Sequence, residues 1–372
     1  MNYSVLNELF NSTFKLNETT KLISSDTEIH YCSFRSNDTV SSGIVPGLLS
    51  DNVAENSDFV YPVFMPAKPA QGNRVILLLH GLNERSWGKY LTWAEYLCTN
   101  TGKPVILFPI AFHMNRSPRS WSNPRLLQAL FEKRKSTIGN DRTLSFSNLA
   151  LSERITENPA RFYSSGRQSL NDMSMLASDL VQGKHPLFQK SMKLDIFAYS
   201  IGAFLSQIAL MSDQQGLYDD TKLFMFCGGS VFSEMDGESR SIMDKTAFEK
   251  MLHFYRNDFE TNIKPNFEGD KAYEAFFSML TPEHAEDERI AFFSKVKDRI
   301  RGISLKRDKV IPYQGVLTAL GRENTSKQIT LIDFPYEYTH ENPFPVHDKR
   351  ISDDVNRSFG QVFQSASAFL AS

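Results

Sequence analysis

Ser200 is the side chain with the clearest chemical potential in the sequence, because of the pattern around it. It lies in the run Leu194–Phe204, where an apolar, strand-like stretch leads into a small-x-Ser-x-Gly turn and then a helical pattern. Such a turn lifts the serine Oγ above a sheet and directs the next N–H, that of Ile201, toward an oxyanion. The Ser-x-Gly matches at Ser41 and Ser164 follow no strand-like run. The pattern predicts a nucleophilic serine, with a structural serine in a tight turn as the alternative.

A second pattern, His80-Gly81-Leu82, follows the apolar run Val75–Leu79. A buried strand that ends in His-Gly allows N–H groups of the following loop to face a reacting carbonyl oxygen. We expect the N–H of Leu82 to act there together with that of Ile201, as the two donors of an oxyanion hole. His80 itself is expected to hold the loop rather than to transfer protons.

These two motifs, in this order along the chain, resemble the α/β-hydrolase superfamily, in which the serine is followed by an acid and then by a histidine. The resemblance implies an acid after a strand beyond Ser200. Asp308 follows the strand-like run Arg301–Leu305 and begins the sequence Asp-Lys-Val-Ile-Pro, which looks like the acid loop of that superfamily. Glu234 and Asp236, which follow the preceding strand, are the alternative acids.

The resemblance also implies a histidine after the last strand, as the general base. His340 and His347 both follow the predicted strand Gln328–Phe334. The shorter path favours His340, because the imidazole must come within about 3 Å of the serine Oγ, and His347 is the alternative base. Ala198 stands where the superfamily fingerprint has its first glycine. Alanine is the smallest side chain with a Cβ, so we expect the turn to tolerate it.

The elements that must position these residues alternate between short β-rich runs and helical stripes. This alternation favours an α/β fold, and with the resemblance an α/β-hydrolase fold: a mostly parallel central sheet flanked by helices. Apolar spacing also predicts a helix over 87–98, capped by Gly102, and a final helix over 351–370. The expected strands are Glu28–Arg35 and Phe59–Met65, as an antiparallel edge, and Arg74–Leu79, Pro104–Pro109, Leu194–Ala198, Lys222–Cys227, Arg301–Leu305 and Gln328–Phe334.

The same patterns divide the chain into a core, an extension and an insertion. Residues 57–232 and 297–372 are expected to form the hydrolase core. Residues 1–56 form an N-terminal extension with an edge strand, and its first 27 residues are expected to pack loosely. Residues 233–296 have helical spacing without a strand pattern, which predicts a helical cap insertion.

Residues 111–165 form an unusually long connection, and connections of that length are often functional. They are rich in Arg, Ser, Asn and Pro. His113 and Arg116, which follow the predicted strand Pro104–Pro109, are candidate substrate-binding residues.

Composition limits the possible partners. The 372 residues carry 41 Lys and Arg against 43 Asp and Glu, a net charge of −2, so no surface for nucleic acid is expected. Three cysteines cannot form a disulfide framework or a zinc cluster, and we expect neither a metal nor an organic cofactor. The absence of a signal-peptide pattern and of a membrane-spanning run predicts a cytoplasmic protein.

Together these features predict a serine hydrolase that cleaves an ester-type acyl bond through Ser200, His340 and Asp308 and an acyl-enzyme. The substrate is expected to be a small molecule or a lipid-like acyl compound. The alternative is a non-catalytic α/β-hydrolase-like protein that binds or scaffolds. The presence of all three side chains argues against that alternative, and the oligomeric state stays open.

Overall fold

Runs of β-branched and other apolar residues build a nine-stranded sheet in the computed structural model, which describes residues 2–17, 20–22, 27–37, 53–68, 72–263 and 269–372. The strands are β1 (Thr20–Leu22), β2 (Thr27–Arg35), β3 (Asp58–Met65), β4 (Arg74–Leu79), β5 (Val105–Leu107), β6 (Lys193–Tyr199), β7 (Leu223–Phe226), β8 (Ile300–Leu305) and β9 (Ile329–Ile332). Their order across the sheet is β1-β2-β3-β5-β4-β6-β7-β8-β9.

The direction of the strands places the functional loops together. β1, β2, β3 and β5 pair antiparallel to one another in that order, whereas β5, β4, β6, β7, β8 and β9 are parallel. The loops that follow β4, β6, β8 and β9 therefore leave the same edge of the sheet, where ligands bind in α/β proteins. This mostly parallel sheet between helices confirms the predicted α/β-hydrolase fold.

The observed strands follow the predicted runs closely, and the differences have local causes. β4 has the predicted bounds, and β2 and β3 form the predicted antiparallel pair. β5 is shorter than the predicted run Pro104–Pro109. The prolines at both ends have no N–H to donate to a neighbouring strand, so the ladder stops between them.

Helices cover both faces of the sheet. The helices are α1 (Tyr3–Thr13), α2 (Ala54–Ser57), α3 (Gly88–Thr101), α4 (Pro124–Ile138), α5 (Leu149–Glu157), α6 (Arg161–Gln182), α7 (Ile201–Met211), α8 (Lys245–His253), α9 (Phe259–Ile263), α10 (Lys271–Ser278), α11 (Glu286–Lys295), α12 (Tyr313–Leu320), α13 (Arg322–Gln328) and α14 (Ser352–Ala371). Gly102 ends α3 with φ 66°, the left-handed cap that the sequence predicted. Within the described ranges, no helix combines the length and apolar character that crossing a bilayer requires.

The start of the chain is packed, which corrects the expectation of a loose extension. Tyr3, Leu6 and Phe10 of α1 are buried, at spacings of three and four residues. Tyr3 stacks on Phe359 of α14 with ring centroids 4.2 Å apart. Three apolar residues on one face are enough to dock α1, although the rest of the segment is polar. Residues 1, 18–19, 23–26 and 38–52 of the expected extension lie outside the described residues.

Residues 111–165 also differ from the expected long connection, because α4, α5 and the start of α6 lie within them. α4 begins at a proline behind an Asn123 cap, whose side chain accepts from the N–H of Arg125. Residues 233–296 contain α8 to α11, and their described residues add no strand to the sheet. The two segments touch, since Arg134 pairs with the buried Asp244 at 2.5 Å.

Candidate active site

Ser200 sits on a strained turn between β6 and α7. Its backbone has φ 56°, which side chains other than glycine rarely adopt. A Cβ on Gly202 would lie 2.8 Å from the Cβ of Leu79, so no larger residue fits there. Ala198 is fully buried within the sheet, between its register partners Leu79 and Met225. The alanine that departs from the fingerprint is thus accommodated as a strand residue.

The structure brings Ser200, His340 and Asp308 into one hydrogen-bonded chain. His340 Nε2 lies 2.7 Å from Ser200 Oγ, and His340 Nδ1 lies 2.8 Å from Asp308 Oδ2. The other carboxylate oxygen of Asp308 accepts the N–H groups of Val310 and Ile311, each at 2.9 Å. Because an ionised carboxylate only accepts, the imidazole proton lies on Nδ1 and leaves Nε2 free to accept from the serine hydroxyl.

The alternative acids and the alternative base lie elsewhere. The Glu234 carboxylate accepts from the Thr318 hydroxyl at 3.2 and 3.3 Å. Asp236 accepts the N–H of Glu238 at 2.9 Å, as a turn residue. His347 is exposed on the loop before α14. The structure therefore joins Asp308 and His340 to Ser200, and none of these three.

Tyr199, the residue before the serine, holds the His340 loop, and sequence reasoning missed it. Its hydroxyl donates to the main-chain carbonyl of His340, and its ring stacks on the imidazole with centroids 5.4 Å apart. Lys89 lies over the same ring at 4.6 Å and donates to the carbonyl of Glu341 at 3.0 Å. Trp93 of α3 packs edge-on against Tyr199 at 5.2 Å. A tyrosine before a serine does not by itself indicate such a role, because His340, the residue that it contacts, lies far along the chain.

Cys227, the residue after β7, lies close to the Asp308 carboxylate. It is buried, and burial together with the Asp308 carboxylate raises the pKa of its thiol well above the usual value. The group therefore stays a neutral S–H beside Asp308.

His80 holds the loop after β4, as the sequence predicted. Its Nδ1 donates to the carbonyl of Gly81 at 2.8 Å, and its Nε2 accepts the N–H of Ile110 at 2.9 Å. Burial lowers the pKa of the ring to about 3, so the imidazole is neutral at ordinary pH. The side chain thereby ties the loop after β4 to the loop after β5.

This neutral histidine predicts a pH-dependent loss of stability. The pKa of His80 is about 3 in the folded protein and about 6.5 in the unfolded chain, so between these values only the unfolded chain binds the proton. The contribution of His80 to the free energy of unfolding is complete above pH 6.5 and falls by about 2 kcal/mol between pH 6.5 and 4.5. The stability difference between wild type and His80→Gln, measured by urea unfolding, should shrink by that amount. The exposed His347→Gln is the control, and a His80→Gln difference that does not change with pH would refute the assignment.

Arg116 is a structural residue, which corrects its candidacy for substrate binding. Its side chain is fully buried and pairs with Asp172 of α6 at 2.8 Å. It also donates to the carbonyls of Pro109 and Asn56, at 3.1 and 3.0 Å. All three guanidinium nitrogens are engaged by protein groups, and the side chain therefore fastens the loop after β5 to α2 and α6.

Two cavities meet beside Ser200. Cavity A lies between the loop after β5, α6, α7 and α10, and His113 is one of its wall residues. Cavity B is lined by Ser200 and by apolar residues that include Ile242 and Val310. Leu82 and Ile201 line both cavities, and neither main-chain N–H donates a hydrogen bond to another described residue. The two expected oxyanion donors thus stand where the cavities join.

Comparison with known families places the whole chain in one of them. The sequence model of the Family of unknown function (DUF6051) matches residues 10–371. The chain belongs to this family. Comparison of this DUF6051 member with curated proteins gives no match.

Solved structures that are similar to this DUF6051 member include esterases from two fungi and an archaeon. Carboxyl esterase 2 from the mycorrhizal fungus Tuber melanosporum is 9% identical, with a TM-score of 0.49, over 98% of this chain and 96% of that chain. A fungal esterase from Rhizomucor miehei is 12% identical, with a TM-score of 0.42, over 100% and 92%. A hyperthermophilic esterase from the archaeon Pyrobaculum calidifontis is 9% identical, with a TM-score of 0.41, over 100% and 90%. At such identity no residue's role transfers by position, and the chemistry of the site follows from the chain's own geometry.

Proposed function

We propose that this protein is a serine hydrolase that cleaves esters of apolar carboxylic acids through an acyl-enzyme. The hydrogen-bonded chain from Ser200 Oγ through His340 to Asp308, with distances of 2.7 and 2.8 Å, carries the proposal. A serine hydroxyl is a weak nucleophile until a base takes its proton, and the base needs a third group to orient it. All three parts are buried side by side in this site.

In the first half of the proposed reaction, Ser200 Oγ attacks the ester carbonyl while its proton moves to His340 Nε2. Asp308 stabilises the imidazolium that forms. The carbonyl oxygen becomes an oxyanion, which the N–H groups of Leu82 and Ile201 would stabilise by about 3 kcal/mol each. The bond to the alcohol then breaks, and His340 gives its proton to the departing oxygen.

In the second half, water enters and His340 takes one of its protons. The hydroxide attacks the acyl carbonyl, and the Ser200–acyl bond breaks. The proton returns from His340 to Ser200 Oγ, and a carboxylic acid leaves. Every proton in the cycle passes through Nε2, which is why the Nδ1 tautomer imposed by Asp308 matters.

The cavities support an apolar substrate. Both are lined mainly by Leu, Ile, Phe and Met side chains. The Arg167 guanidinium at the wall of cavity A is bound in bidentate fashion by Asp270, with both distances 2.8 Å. Its charge is thereby neutralised, so it offers no attraction to an anionic substrate.

The positions of the cavities assign the two halves of the ester. His340 must reach the departing oxygen, so the alcohol half lies on the His340 and Asp308 side. Cavity B is on that side, because Val310 and Ile311 of the acid loop line it. Cavity A lies on the β5 side of Ser200 and therefore receives the acyl half.

We further propose that residues 233–296 and 111–165 together form the cap over the site. Their contacts support this view, because Arg134 binds Asp244 and the Asn148 side chain donates to the carbonyl of Ser239 at 2.9 Å. Ile242 from the first segment also lines cavity B. A cap in this place would select the substrate rather than perform the chemistry.

Hydrolysis of p-nitrophenyl esters of graded acyl length, together with labelling by a fluorophosphonate probe, tests the proposed function. We expect turnover of an apolar ester and covalent labelling of Ser200. A folded protein that neither turns over any ester nor reacts with the probe would instead be the non-catalytic binding protein that the sequence left as the alternative.

Ile242→Phe tests the position of the alcohol half. The larger ring reduces cavity B, so kcat/KM for esters of bulky alcohols should fall at least tenfold relative to methyl esters, a change of about 1.4 kcal/mol or more. The control is Leu126→Phe on α4, where the side chain is 66% exposed. An unchanged preference for alcohol size in folded Ile242→Phe would show that cavity B does not hold the alcohol.

A further inference from the structure

The wall of cavity A includes an imidazole nitrogen that forms no hydrogen bond with a described residue. Of the other polar side chains in that wall, Ser165 donates to the carbonyl of Ala111 at 3.0 Å, and Arg167 is held by Asp270. His113 is different. It is 6% exposed, and its Nε2 has no hydrogen-bond partner among the described residues.

The chemical state of that ring follows from its other nitrogen. His113 Nδ1 lies 2.8 Å from the carbonyl oxygen of Ala111, which only accepts, so the ring proton is on Nδ1. Burial, followed by the nearby His80 and Arg85, lowers the pKa of the ring well below its usual value. The imidazole is therefore neutral, and Nε2 presents a lone pair and no proton.

A buried acceptor without a donor costs about 1–3 kcal/mol, so a ligand that supplies the donor gains affinity and specificity. The Nδ1 edge of the ring faces main chain, and His113 belongs to the wall of cavity A, so the buried Nε2 is the ring nitrogen left to accept from an occupant. A carboxylate would meet this lone pair with no donor of its own. A cation would have to leave water for a mostly apolar cavity, which is costly. A neutral hydroxyl is the group that fits.

We propose that His113 is a specificity residue that accepts a hydrogen bond from a hydroxyl on the acyl half of the substrate, which makes the substrate class esters of apolar hydroxy acids. This inference rests on the proposed serine hydrolase function and on the assignment of cavity A to the acyl half. It explains why a neutral imidazole is buried in a mostly apolar wall with its Nε2 lacking a hydrogen-bond partner among the described residues.

The test compares p-nitrophenyl octanoate with p-nitrophenyl hydroxyoctanoates that carry the hydroxyl at successive carbons. For the wild type, we expect one hydroxylated isomer to exceed octanoate in kcat/KM by about 10- to 100-fold. Turnover of octanoate with no preference for any isomer would overturn the role of His113 and leave the hydrolase intact. Absence of all turnover and of probe labelling would overturn the hydrolase itself, and with it this inference.

His113→Phe then connects the preference to the side chain. A planar aromatic ring is kept while both nitrogens, including the acceptor, are removed, so the ratio of kcat/KM for the preferred isomer to that for octanoate should fall to about one. The carbonyl of Ala111 keeps its hydrogen bond from Ser165, which favours a folded variant. The matched control is His185→Phe, another buried histidine, which lines neither cavity and should keep the ratio. A His113→Phe variant that retains the full ratio would contradict the proposal, and the wild-type comparison decides the matter if the variant does not fold.

Discussion

Ser200→Ala is expected to lower the turnover of any ester that the wild type hydrolyses by about 10⁴-fold or more. The Oγ lies 2.7 Å from His340 Nε2, and it is the atom that would form the acyl bond. Alanine supplies no atom for that bond, so only binding and oxyanion stabilisation would remain. Steady-state hydrolysis and fluorophosphonate labelling of the purified variant measure the loss.

A serine on α7, the helix that follows Ser200, provides the control. Ser206 is buried in α7, and its hydroxyl donates to the carbonyl of Gly202 at 2.7 Å. Ser206→Ala should keep both labelling and turnover near the wild-type level. If Ser200→Ala, folded as judged by circular dichroism, hydrolysed the same ester as fast as wild type, the nucleophile would be a different residue.

The second large effect is expected from the histidine that contacts Ser200. His340→Ala should lower turnover by several orders of magnitude, because no other described base lies beside the hydroxyl. The rate of fluorophosphonate labelling should fall more than the rate of ester turnover, because labelling depends on removal of the serine proton. His347→Ala, at an exposed position on the same loop, should change either rate by less than about threefold.

The two alanine variants separate the candidates that the sequence left open. Equal, mild losses in both would exclude a histidine base on this loop. A severe loss in His347→Ala with a mild one in His340→Ala would move the base to His347 and contradict the 2.7 Å contact. Stopped-flow measurement of the labelling rate at several pH values would also show whether the pH dependence of the wild-type rate disappears with the histidine that was replaced.

Local patterns predicted the α/β class, and the resemblance of the motifs to the α/β-hydrolase superfamily added the specific fold. A strand or a helix is specified by the period of its apolar residues, so β4 and the Gly102 cap of α3 were found without tertiary information. The Ser200 turn was predicted because the small residues that it requires are close to the serine in the sequence. Helix α1 was not predicted from the sequence. Its three buried residues are recognised as one packed face only in the structure, where α3 and α14 cover them.

The sequence by itself determined the candidate residues for chemistry: a serine on a strand-to-helix turn, an acid after β8 and a histidine after β9. Only the tertiary structure decided which acid and which histidine meet, because a hydrogen bond at 2.8 Å joins residues brought together by the parallel sheet and not by spacing along the chain. The same holds for Tyr199 beneath His340 and for the unpartnered Nε2 of His113. Sequence periodicity records which side of an element is apolar, whereas the partner of a polar atom depends on the packing of distant loops.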